Sequence, residues 1–218
     1  MDSMKHVAKW SLLGLLLLAA VPVLAGTISG SQHDFTTAAW SGGRICIACH
    51  DTHGTNTTIT DAPLWNHATS TATYTLYSSP TMNATLTQPG GGSKLCLSCH
   101  DGTVAVNSFG GVTGTTMISA VNNTGTNLKA SHPIGFVYNT ALATTDGSLF
   151  DPATKTVTIG SGTQTRTGTV NAMLLYSGKM ECDSCHDVHN TFTVGANGTG
   201  LVKVDPAGSK ICLACHNK

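Results

Sequence analysis

Every cysteine of this chain lies in a Cys-x-x-Cys-His unit, and no cysteine is left over. The cysteine pairs are Cys46 and Cys49, Cys96 and Cys99, Cys182 and Cys185, and Cys212 and Cys215. The histidines that follow them directly are His50, His100, His186 and His216. Two cysteines three residues apart lie on one side of a helical turn, so both sulfurs can bond to the same planar group. The next residue then presents an imidazole to a metal ion at the centre of that group. This spacing is the attachment signature of c-type haem.

Other uses of cysteine explain the pattern less well. In an exported protein, eight cysteines could form four disulfides. Cys-x-x-Cys pairs also bind zinc in sets of four ligands, or act as redox dithiols, usually within a βαβ unit. None of these uses requires a histidine directly after the second cysteine in all four units. We therefore expect four covalently attached haems, with the four motif histidines as proximal iron ligands.

The ligand on the other face of each iron decides the chemistry. A second protein ligand closes the iron and favours electron transfer, whereas an open position permits substrate binding. Of the ten histidines, six lie outside the motifs, and His6 falls in the predicted signal peptide described below. The five candidates for distal ligands are His33, His53, His67, His132 and His189. With five candidates for four irons, we expect all four haems to be bis-histidine and treat the methionines as packing residues.

The candidates differ in how well their surroundings suit the role. His53 and His189 each lie three residues after a motif histidine, so each can reach a neighbouring haem but not the same iron. His132 precedes a proline, which favours an extended backbone. His33, near the mature N-terminus, and His67, after an apolar segment, compete for the last place.

The motifs alternate between two types, which predicts two related halves. The first and third continue as Cys-His-Asp-x-His, and the second and fourth follow Gly-Ser-Lys and an aliphatic residue. We expect a first dihaem half at residues 26–130 and a second at 131–218, which together form a single compact tetrahaem unit. Short helices are expected around each motif and near residues 80–86. Residues 155–170 read as a β-hairpin inserted in the second half.

Composition indicates an unusual interior. The chain has 34 threonines and 24 glycines, with 40% hydrophobic and 10% charged residues. We expect mostly loop, with the haems serving as the core of a multihaem cytochrome c fold. The 11 basic and 11 acidic residues balance, which argues against nucleic acid as a partner.

Residues 1–25 have the features of a secretory signal peptide. Lys5 and Lys9 precede an apolar run, and Val23, Leu24 and Ala25 form a cleavage site of small residues. The apolar run is shorter than the roughly 20 residues that cross a bilayer. We therefore expect an exported protein.

Four segments together resemble the multihaem c-type cytochromes with doubled motifs. They are residues 49–53, 95–102, 131–133 and 182–189. Within that group the chain is most similar to the filament-forming extracellular tetrahaem cytochromes of metal-reducing bacteria. The resemblance implies electron transfer rather than catalysis, an extracellular or outer-membrane location, and a homopolymer with a continuous haem chain. It also implies that one distal histidine, His53 by analogy, is donated across the subunit interface.

The resemblance implies other multihaem cytochromes or extracellular electron acceptors as further partners. A monomeric periplasmic electron shuttle is the main alternative. A multihaem reductase, which would need an open haem, is the second.

Overall fold

Loops and turns make up most of the chain that the computed structural model describes, residues 28–194 and 200–218. The predicted signal peptide, residues 1–25, lies outside these described residues. In the described ranges, no helix combines the length and apolar character needed to cross a membrane. The described chain is mostly irregular and is held by turns and by hydrogen bonds between loops.

The helices are short, and three of them hold haem motifs. The α-helices are α1 (Gly91–His100), α2 (Thr140–Asp146), α3 (Val170–Met173), α4 (Cys182–Cys185) and α5 (Lys210–Leu213). Short 3₁₀ segments cover Ala39–Ser41, Ala120–Asn122 and Ala207–Ser209. The second, third and fourth motifs lie on α1, α4 and α5, whereas the first motif forms a hydrogen-bonded turn without a regular helix.

The helix predicted near residues 80–86 is wrong. That segment is a turn at Pro80 and Thr81 followed by irregular chain. Thr81, Asn83 and Thr85 fall in it, and β-branched residues and asparagine favour conformations other than helix. Proline suits the start of a helix, but here nothing after it continues the turn.

Four strands form two small antiparallel sheets. Strands β2 (Thr156–Ser161) and β3 (Gln164–Thr169) pair along their whole length, from Thr156 opposite Thr169 to Ser161 opposite Gln164. This is the hairpin predicted at residues 155–170, with a two-residue turn. Strands β1 (Phe136–Val137) and β4 (Lys179–Met180) form a second sheet that the sequence pattern did not predict.

Two clusters of buried side chains lie beside haem motifs. The larger cluster includes Val157 and Ile159, which alternate inward from β2, together with Tyr138, Val170 and Cys215 of the fourth motif. The smaller cluster is formed by Tyr74, Leu97 and Leu128. Leu97 lies between the two cysteines of the second motif, so this cluster fixes α1 in place.

The two halves meet at their inner motifs. Helix α1 packs against α4, and the backbone N–H of Cys182 donates a hydrogen bond of 2.9 Å to the Ser93 hydroxyl. A Cβ atom added to Gly92 would lie 2.9 Å from the Asp183 carboxylate, so the two segments approach closely at this glycine. The second and third motifs are therefore neighbours across the boundary between halves.

Candidate haem-binding sites

Each motif coils into a helical turn that presents its two cysteines on one side. In the first, third and fourth motifs, the histidine N–H donates to the carbonyl of the first cysteine, at 2.8, 3.1 and 2.9 Å. The second motif lies within helix α1. All eight cysteines fall in the described residues, and all are free thiols. The local geometry therefore suits two thioether bonds per motif.

Three motif histidines are oriented by a backbone carbonyl. The Nδ1 contacts are His50 to Pro63 O at 2.7 Å, His100 to Asn122 O at 2.9 Å and His186 to Gly200 O at 2.7 Å. A carbonyl oxygen only accepts hydrogen bonds, so each Nδ1 must carry the proton. The lone pair is then on Nε2, and a partner of this kind is what fixes the tautomer and ring orientation of a metal-ligating histidine.

Three motif histidines each face a histidine from outside the motifs. The ring centroids of His50 and His189 lie 6.1 Å apart with the rings nearly parallel. Those of His33 and His100 lie 6.0 Å apart, and those of His132 and His216 lie 6.4 Å apart. Two imidazoles that bind one metal ion from opposite sides, with metal–nitrogen bonds of about 2 Å, place their ring centroids roughly 6 Å apart. The residues present therefore fit a bis-histidine haem at the first, second and fourth motifs.

The state of His33 agrees with this arrangement. Burial, with a smaller effect from His100, lowers the pKa of His33 from 6.5 to about 4. The ring is therefore neutral at neutral pH, as a metal ligand must be. Its Nδ1 is buried and has no hydrogen-bond partner. An unpartnered buried nitrogen beside a motif histidine is accounted for if this ring serves an iron.

His132 has the same tautomer as the motif histidines, because its Nδ1 lies 2.9 Å from the carbonyl oxygen of Pro133. His189 is exposed, and its backbone N–H donates to Asp187 at 3.1 Å. The Asp-x-His pattern of the third motif thus has a local role. The carboxylate fixes the backbone of the histidine that faces His50.

The other two candidates are placed differently. His53 is exposed, and its ring faces no other imidazole of the described residues. His67 is only 1% exposed, with Nδ1 2.7 Å from Ala68 O and Nε2 3.1 Å from Ala105 O. The Nε2 atom also lies 3.5 Å from Cys99 Sγ, so the ring is held between backbone carbonyls and the second motif. Among the motif histidines, His186 is the one that no imidazole faces within the described residues.

The cysteine thiols show which motifs are adjacent. Burial raises the pKa of Cys49 to about 11 and that of Cys99 to about 12, and the charge of Cys49 contributes to the shift at Cys99. The interaction between the Cys96 and Cys182 thiols raises the pKa of Cys96 and lowers that of Cys182. Burial, followed by the charge of Cys185, raises the pKa of Cys215 to about 12. Successive motifs are therefore neighbours, and the pair of His50 with His189 also brings the first motif beside the third.

One further group near the sites was not predicted from the sequence. The carboxylate of Asp101, next to His100, lies in a buried network with Ser70, Tyr74 and Thr103. The sequence shows an aspartate after the motif histidine in three motifs, but it does not show that Asp101 is buried.

Among the described residues, no group of three or more His, Cys, Asp or Glu side chains is arranged to hold a metal ion. No protein-family model matches the chain, and no curated protein gives a significant match. Support for haem binding therefore comes from the motif spacing and from the three imidazole pairs.

Proposed function

We propose that this protein transfers electrons through four covalently bound c-type haems, one at each motif. The observation that carries the proposal is the set of three imidazole pairs, each joining a motif histidine to a distant histidine at 6.0–6.4 Å between ring centroids. Nothing in the covalent chain forces these pairs together. A shared metal ion between the rings accounts for all three.

The chain's own groups divide the work. Bound haem supplies a centre that gains and loses one electron. The cysteines fix each macrocycle, and the backbone carbonyls of Pro63, Asn122 and Gly200 hold three proximal rings in the ligating tautomer. His189, His33 and His132 then close the first, second and fourth sites.

Closed sites favour electron transfer over catalysis. A reductase needs an open coordination position for its substrate, and a second imidazole 6.0–6.4 Å from three of the four motif histidines supports closed sites. The proximity of successive motifs supports electron transfer along the molecule, and the hydrogen bond from the Cys182 N–H to Ser93 joins its two halves. The protein is therefore proposed as an electron carrier and not as an enzyme.

Mass spectrometry of the protein produced with a c-type haem maturation system tests the cofactor. We expect four covalent haems and a low-spin ferric spectrum. A variant with both Cys96 and Cys99 changed to alanine should lose one haem and keep three. Bound zinc, intact disulfides or the absence of covalent haem would overturn the proposal.

The third site supports the finer proposal of a homopolymer. His186 has a correctly oriented ring and no facing imidazole within the described residues, while His53 is exposed and faces none. We propose that His53 of one subunit closes the haem of the third motif in the next subunit. This joins the haems of successive subunits into an extracellular filament that exchanges electrons with other multihaem cytochromes or extracellular acceptors.

Electron microscopy of the purified haem protein separates the filament from a monomeric periplasmic shuttle. We expect filaments from the unchanged chain, and their loss together with one opened haem in His53→Ala. Changing His67 to glutamine is the matched control and should leave filaments in place. Particles that remain monomeric with all four haems closed would favour the shuttle.

A further inference from the structure

Asp101 combines an unusual environment with a position next to a haem ligand. It follows His100 directly and is 4% exposed. Its Oδ2 accepts hydrogen bonds from the hydroxyls of Ser70 at 2.5 Å and Tyr74 at 2.6 Å. Its Oδ1 accepts from the backbone N–H of Thr103 at 2.7 Å and from the Thr103 hydroxyl at 2.8 Å. Four donors thus surround one carboxylate.

These contacts define the charge at this position. An ionised carboxylate is an acceptor at both oxygens, so a shell made only of donors matches the charged form. In the described part of the chain, the one ion pair joins Lys210 to Asp205, and no cation pairs with Asp101. The buried charge is held by neutral donors alone, so its field is not cancelled by a neighbouring cation.

The equivalent residues of the other motifs differ. Asp51 and Asp187 also follow motif histidines, but both are half-buried and accept hydrogen bonds from backbone N–H groups. The fourth motif has Asn217 there. An aspartate at this position therefore serves a common turn. Burial under two side-chain hydroxyls from a distant segment is particular to the second motif.

We propose that Asp101 is an electrostatic residue that lowers the reduction potential of the haem at the second motif. This inference rests on the proposed function. Reduction adds one electron from an external donor and makes the site more negative by one charge. A fixed negative charge in a buried, low-dielectric position opposes that change. No bond is made or broken at Asp101, and no proton moves.

The position of this haem gives the effect a consequence for the whole chain. The second motif has neighbours on both sides, because α1 packs against α4 of the third motif and the charge of Cys49 in the first motif acts on Cys99. A lowered potential at the second haem therefore affects transfer within the electron-transfer path and not at its end. Electrons then reside preferentially on the haems to either side, and the second haem sets the rate of transfer between them.

Spectroelectrochemical titration of Asp101→Asn tests the proposal. We expect one of the four potentials to rise while the other three stay in place and all haems remain low-spin. The component that moves should be the one that is absent from the Cys96 and Cys99 double variant. Asp51→Asn is the matched control and should produce a smaller shift, in a different component.

Two further variants separate charge from structure. Thr103→Val removes one hydroxyl donor and keeps the charge, so no potential should rise. If Asp101→Asn does not fold, Asp101→Ser removes the same charge with a smaller side chain and should give the same upward shift.

Four haems with unchanged potentials in the charge-removing variants would overturn this inference and leave the proposed function standing. An equal rise in Thr103→Val would also overturn it. A chain without covalent haem would overturn both.

Discussion

Removal of the His189 imidazole is the sharpest perturbation that the structure offers. The ring faces His50 at 6.1 Å with an interplanar angle of 15°. His189 is exposed, so His189→Ala leaves no cavity in a packed core. Its effect should therefore be confined to one coordination position.

The expected magnitude follows from the count of sites. Under the proposed function the four motifs hold four irons, so opening one site makes one quarter of the ferric haem high-spin. Apart from His50, the imidazole that interacts electrostatically with His189 is His33. That ring already faces His100 at 6.0 Å and is not available as a substitute. The opened haem should stay five-coordinate or take water.

Electron paramagnetic resonance and absorption spectra of the ferric protein measure this fraction. Added imidazole should restore the low-spin signal in His189→Ala, because the small molecule fills the vacated position. His67→Gln is the control and should keep all four haems low-spin. A fully low-spin His189→Ala protein, or an open haem in the control, would refute the imidazole pairing.

Three further substitutions probe the framework around the sites. Tyr138→Phe removes the hydroxyl that donates to the carbonyl of Phe150 at 2.5 Å, and we expect a loss of about 1–2 kcal/mol in the free energy of unfolding, measured by denaturant titration. Burial raises the pKa of Glu181 above its ordinary value of 4.5. The folded state therefore disfavours the charged carboxylate, and the free energy of unfolding falls as pH rises through the folded-state pKa. Glu181→Gln should therefore raise the melting temperature at pH 7, and the gain should disappear at and below about pH 4.5, where the side chain is protonated in both states. Gly160 has a φ of +83°, and an added Cβ would lie 1.9 Å from the carbonyl oxygen of Gln164, so Gly160→Ala should cost at least about 1–3 kcal/mol while the haem spectrum stays unchanged.

Local patterns in the sequence account for the parts of the structure that local forces build. The motif turns follow from cysteine and histidine spacing, and the hairpin follows from alternating β-branched residues around Gly160 and Gly162. The helix expected near residues 80–86 did not form, because the threonines and the asparagine of that segment disfavour helix. Turn and strand propensities act over a few residues and can be read directly.

The choice among distal histidines could not be read in this way. His33 faces His100 and His189 faces His50 because loops far apart in sequence fold together. His67 follows an apolar segment and competes with His33 in the sequence, but the structure encloses its ring between two backbone carbonyls. Hydrogen-bond partners from the backbone carry no sequence signature. The environment of Asp101 could not be predicted either, because Ser70 and Tyr74 come from a distant segment of the chain.

The pairing of His50 with His189 also has a consequence for how the molecule is made. A polypeptide is synthesised from its N-terminus, so the first motif emerges early and the imidazole that faces it emerges only after the third motif. Under the proposed function, a chain that ends before His189 lacks the ligand that closes its first haem. Such a truncated chain carries an open, reactive iron at its first motif. A chain that includes His189 can close this iron, so closure of the first haem shows that the third motif is present.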